Sequence, residues 1–145
     1  PLQMALVAGA VGQGALVPPR LLVALDGVAA SPGAAVPLGV RLDRVRAGMK
    51  GVVEAGTAAG AFRGEGLAAV RRGLSGKTGT APTVAGGERG LSTVWFTGWL
   101  EPGSIPGVDR RLAVAVFVSH SEATGGEHAA PVAAAVLASL ARQHK

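Results

Sequence analysis

The sequence of 145 residues predicts an α+β fold, an antiparallel β-sheet flanked by helices. Three observations carry this. Apolar residues recur at helical spacing over 1–13 and again over 42–55. The period then changes, and three consecutive β-compatible segments follow between 74 and 119. A last helical pattern closes the chain over 127–143. Segregation of strands from helices favours an antiparallel sheet over alternating βαβ units.

The elements follow in order. Leu2, Leu6, Val7 and Ala10 trace one face of a first helix, Pro1 suits its first turn, and Gly12 and Gly14 end it. "LVPPRLLVAL" reads as extended, because Pro18 and Pro19 forbid a helix. Residues 26–40 read as a loop or irregular hairpin. A second helix, 42–55, sets Leu42, Val45, Met49, Val52 and Val53 on one side, with Asp43 near its start and Gly56 after its end. Residues 57–69 are small and Gly-rich with one anchor, Phe62. "LSGKTGTA", "STVWFTGWL" (92–100) and "RRLAVAVFVS" (110–119) are the three strands. The near-continuous apolarity of the third predicts burial on both faces. "EPGSIPGVD" is a turn region. Glu127 opens the last helix and Arg142 closes it, with Pro131 tolerated near the first turn.

Composition narrows the function. Hydrophobic residues make up 48%, which excludes extensive disorder, and aromatics only 3%, so Ala, Val and Leu must build the core. The length suits one domain. Net charge is +5, but the basic residues are spread out and no aromatics interleave with them. Hence no base-stacking platform is visible, and nucleic acid is not the expected partner. No cysteine is present, which removes disulfides, thiolate metal sites and a Cys nucleophile. The longest apolar run, "LAVAVFV", is too short to span a bilayer.

"GLSGKTGTAPT" (73–83) is the chemically loaded stretch. A Walker A loop would need glycine where Arg71 stands, and would run into a helix rather than Ala81-Pro82. His120 and His128 match no compact zinc pattern, so no metal or other cofactor is expected. No G-x-S-x-G elbow marks a nucleophile. What remains is a K-T-G element, as in serine acyltransferases acting on D-alanyl peptides and β-lactams. On a strand, Lys77 brings a cation toward the nucleophile and the substrate carboxylate. Thr78 offers a hydroxyl to that carboxylate. Gly79 lets the substrate backbone approach. The N–H of Thr80 can point at an oxyanion.

The flanks extend this. "PLQMALVAGAVGQGALVPPRLL", "MKGVVEAGTAAGAF", "GLSGKTGTAPT", "VWFTGWLEP", and "LAVAVFV" followed by "GGEHAAPVAAAVL" all occur in order. Together they resemble the C-terminal half of the transpeptidase domain of class B penicillin-binding proteins, over essentially the whole chain. The resemblance implies a five-stranded antiparallel sheet, with the K-T-G strand as an edge of the cleft. It implies D,D-transpeptidation of peptidoglycan stem peptides, acylation by β-lactams, and a place on the extracytoplasmic face of the bacterial membrane. It implies Lys77 and Thr80 as catalytic residues and Thr78, Gly79 and Thr80 as substrate-binding residues.

The chain departs from that pattern in two ways. No serine stands in an S-x-x-K motif, and the absence of asparagine removes S-x-N. Both motifs are expected upstream, in a longer, membrane-anchored parent of which 1–145 is the C-terminal part of one domain. The missing N-terminal half is then itself a partner, and this chain alone is expected to be inactive. The alternatives are an inactive penicillin-binding-like interaction module or a basic nucleic-acid-binding domain.

Overall fold

A computed structural model describes residues 1–31, 33–82 and 91–144. Pro32, in the expected loop, and Thr83, at the end of the K-T-G stretch, lie outside the described residues.

Helix α1 (Leu2–Gln13) ends at Gly14, whose φ of 79° is left-handed and whose N–H donates to the Ala10 carbonyl. Gly12, expected to help end it, lies inside it. The buried positions are Ala8, Ala10 and Gly12, whereas Leu2 and Val7 of the expected face are exposed. The cause is close packing: a Cβ on Gly12 would lie 2.7 Å from the Trp99 ring. Only the small-residue face of α1 fits against the sheet.

The next segment is extended, as its prolines require. It holds four two-residue strands, β1 (Ala15–Leu16), β2 (Ala24–Leu25), β3 (Val28–Ala29) and β4 (Val36–Pro37). β2 and β3 form a hairpin around Asp26 and Gly27, both with positive φ, and β1 pairs with β4.

Helix α2 (Asp43–Glu54) follows, then a run of turns, then the short α3 (Ala68–Gly73). Of the apolar side expected for α2, Val53 is fully buried while Val45 stays exposed. Two basic side chains of α2 bind helix C-termini. Arg46 Nε donates to the Val11 carbonyl of α1 at 2.8 Å. Lys50 Nζ donates to the carbonyls of Arg71 and Arg72 at 2.8 and 2.7 Å, satisfying groups that α3 leaves unpaired. Phe62 anchors the turns as expected, tilted against Phe96 with ring centroids 5.4 Å apart.

Strands β5 (Leu74–Pro82), β6 (Ser92–Leu100) and β7 (Leu112–Ser121) form one antiparallel sheet in the order β5-β6-β7. Helix α4 (Ala129–Gln143) closes the chain. The main core lies on one face of the sheet, where Val94, Phe96 and Leu100 meet Val53, Phe62, Leu74 and the alanines of α4. On the other face lies α1, with Thr97 Oγ1 donating to the Met4 carbonyl at 2.9 Å. β7 is not buried on both faces. Its apolar residues alternate: Val114, Val116 and Val118 pack on the core, while Phe117 is 44% exposed and rests on Trp95. A bulge near its end accommodates His120 at φ 55° and turns Ser121 inward.

Candidate functional site

Lys77, Thr78, Gly79 and Thr80 fall in the middle of β5, paired with Thr97, Phe96, Trp95 and Val94. Alternation along the strand separates their side chains. Lys77 and Gly79 share the face that carries Thr97, Trp95 and α1; Thr78 and Thr80 share the face of Phe96 and Val94.

The backbone has its own parity. Glu101 N–H donates to the Gly73 carbonyl at 3.0 Å and extends the β5–β6 register by one pair. Hydrogen-bonded pairs alternate in an antiparallel ladder. Gly73, Ser75, Lys77 and Gly79 therefore turn their peptide groups to β6. Leu74, Gly76, Thr78 and Thr80 turn theirs outward. Lys50 Nζ, 3.3 Å from the Leu74 carbonyl, approaches from that outer side. Among the described residues no strand pairs with this edge of β5. The N–H groups of Gly76, Thr78 and Thr80 thus stand in a row along it, roughly 7 Å apart.

One side chain reaches the same edge. Lys77 is exposed, and its Nζ donates to the Thr78 carbonyl, so the ammonium lies over the edge. The Thr78 side chain turns inward: the residue is 7% exposed and its Oγ1 is 2.6 Å from Thr57 Oγ1. What Thr78 presents outward is its N–H. Gly79 has no Cβ on the Lys77 face, where one would lie 3.6 Å from Trp95 Cβ. Thr80 is exposed, and its Oγ1 accepts from the Gly125 N–H at 3.2 Å, leaving its own hydroxyl proton free to be donated.

The loop between β7 and α4 supports the strand from the covered face. Glu127 was expected within the last helix; instead the regular helix starts at Ala129, and Glu127 belongs to the turn before it. Its Oε2 accepts from the Thr124 N–H at 2.9 Å and from the Thr124 hydroxyl at 2.8 Å. Those two bonds, and then the neighbouring His128, hold its carboxyl below the usual range. His128 Nδ1 lies 2.8 Å from Ser121 Oγ, which also donates to the Ala123 carbonyl at 3.0 Å. These are loop contacts. Among the described residues no group of three or more His, Cys, Asp or Glu is placed to hold a metal ion.

Thr57, Gly125 and Glu127 were not singled out as site residues from the sequence. One signal was legible: Thr124-Gly125-Gly126-Glu127 has capping-box spacing ahead of an apolar helix. The Thr57–Thr78 contact spans 21 positions, and no local pattern announces it.

The family described as the penicillin binding protein transpeptidase domain matches residues 1–138. No curated protein matches the chain. No helix among the described residues is long and apolar enough to cross a membrane.

Proposed function

This chain belongs to the penicillin-binding protein transpeptidase domain family, and we propose that its Lys77–Thr80 edge forms one wall of a serine D,D-transpeptidase cleft. The observation that carries the reading is the outer edge of β5. Three N–H donors in a row, with an ammonium curled over them, suit an extended peptide that ends in a carboxylate. Such a peptide adds to the sheet as a further strand and takes its affinity from main-chain bonds.

The roles follow from position. The Thr80 N–H serves the oxyanion that forms when the penultimate D-alanyl carbonyl is attacked. Lys77 supplies positive charge toward the substrate carboxylate and the attacking serine. The exposed Thr80 hydroxyl donates to that carboxylate. Thr78 binds through its N–H, and Gly79 keeps the Lys77 face clear.

The serine belongs to a segment outside this chain, because no S-x-x-K occurs here. Residues 1–145 act as the C-terminal part of one transpeptidase domain, completed by an N-terminal half that supplies S-x-x-K and S-x-N. The serine oxygen bonds to the carbonyl carbon, the amide C–N bond breaks, and D-alanine leaves with the proton. An amine of a second stem peptide then attacks the ester, forms the cross-link and returns the serine. A β-lactam acylates the same serine. This chemistry belongs on the extracytoplasmic face of the bacterial membrane, where peptidoglycan lies.

The test is acylation of the complete protein by a fluorescent penicillin. A covalent adduct is expected on the parent and none on this chain alone. Lys77→Ala in the parent should slow acylation about a hundredfold while leaving the fold intact. An unlabelled parent would sink the enzyme reading, and an unchanged rate in the variant would remove Lys77 from its role.

A further inference from the structure

The covered face of β5 is braced at the residues whose outer edge is proposed to bind substrate. Thr57, in the turn after α2, meets Thr78 hydroxyl to hydroxyl at 2.6 Å. Gly125 donates its N–H to Thr80 Oγ1 at 3.2 Å. The space is already filled. A Cβ on Gly125 would lie 2.5 Å from the carbonyl oxygens of both Gly79 and Trp95, and one on Gly126 would lie 2.2 Å from the Thr57 carbonyl oxygen. Those are backbone atoms, so no side-chain rotation relieves the contact.

We infer that Thr57 and the Gly125–Gly126 turn are positioning residues that fix the outward peptide groups of Thr78 and Thr80. The inference rests on the transpeptidase reading of that edge. Gly126 seats against Thr57, Thr57 holds Thr78, and Gly125 holds Thr80. Together they stop the strand rolling about its axis, a motion that would swing the Thr80 N–H away from a developing oxyanion. Gly125 is buried and the Thr57 hydroxyl is engaged by Thr78, so each acts through β5. The turn is in turn secured by Glu127, whose carboxylate closes on Thr124.

Gly125→Ala, Thr57→Val and Thr57→Ser in the complete protein test this. The readout is the acylation rate constant by fluorescent penicillin at saturation, per site titrated, beside the non-covalent dissociation constant. Displacement of a catalytic donor by a fraction of an ångström to one ångström is expected to lower the rate constant about 10- to 100-fold in Gly125→Ala and Thr57→Val, with a smaller change in binding. Thr57→Ser keeps the hydroxyl and should recover most of what Thr57→Val loses.

A purely structural role would lower the number of active sites or the melting temperature and leave the rate per site untouched; that result overturns the inference. Should Gly125→Ala fail to fold, the Thr57 pair decides alone. Should the wild-type protein form no adduct, the transpeptidase reading falls, and the amide resonances of Thr78 and Thr80 decide the positioning claim. They must shift in Thr57→Val and return in Thr57→Ser; resonances that stay in place overturn it.

Discussion

The Glu127 carboxylate accepts from both the N–H and the hydroxyl of Thr124, and both bonds favour its ionised form. The folded-state pKa therefore lies below the unfolded value, which is about 4.3 for glutamate. Its contribution to stability is fully present above that unfolded value. It is lost as the pH falls through the lowered folded value. Unfolding of the chain in denaturant should show an acid limb that Glu127→Gln flattens, with the Thr124 amide resonance reporting the same titration. An unchanged acid limb in Glu127→Gln would refute this. At the same scale, the candidate residues Lys77, Thr78, Gly79 and Thr80 form one unbroken stretch of β5, which is why a local motif can point to them. Thr57 was not, since its partner is reached through the fold and not through the sequence.

At the scale of elements, α1 and β7 show how packing overrides pattern. The large apolar residues of α1 suggested one buried face, but the Trp99 ring occupies that room and admits only glycine and alanine. Gly12→Val should destabilise the chain by about 1–3 kcal/mol through overpacking. Denaturant midpoints at unchanged m-value would measure it, and wild-type stability would contradict the contact. Phe62 is the opposite case, a lone aromatic in a Gly-rich stretch that proves fully buried. Phe62→Ala should cost about 3–5 kcal/mol in the same assay, the range for emptying an aromatic site in a core. β7 read as doubly buried from its apolarity. It alternates instead, because α4 covers one face and α1 reaches only part of the other.

At the scale of the molecule, the main sheet is three strands wide among the described residues. Among the described residues neither β5 nor β7 has an outer neighbour. Apolar side chains are also left uncovered: Leu21 is 77% and Val28 72% exposed, and Leu2, Leu6 and Gly9 line a cavity of about 320 Å³ with Val17 and Pro18. Exposed apolar surface on that scale, together with open strand edges, promotes association. This chain on its own should therefore self-associate at micromolar concentration and bind a hydrophobic dye. Sedimentation as a monomer with no dye signal would contradict this.

The sequence by itself determined the order and type of the main elements, the α+β class, the bounds of β6 and, to within one residue, those of β5 with its K-T-G element. These follow from local causes: the periodicity of apolar residues, β-branched runs, and glycine and proline at turns. Only the tertiary structure decided which face of α1 is buried and which peptide groups of β5 point outward. It also decided that Thr78 turns its hydroxyl to Thr57 rather than to the open edge. Those outcomes depend on register and on contacts between residues far apart in the chain. A one-residue change of register would exchange every inward and outward group, and no local pattern encodes that choice.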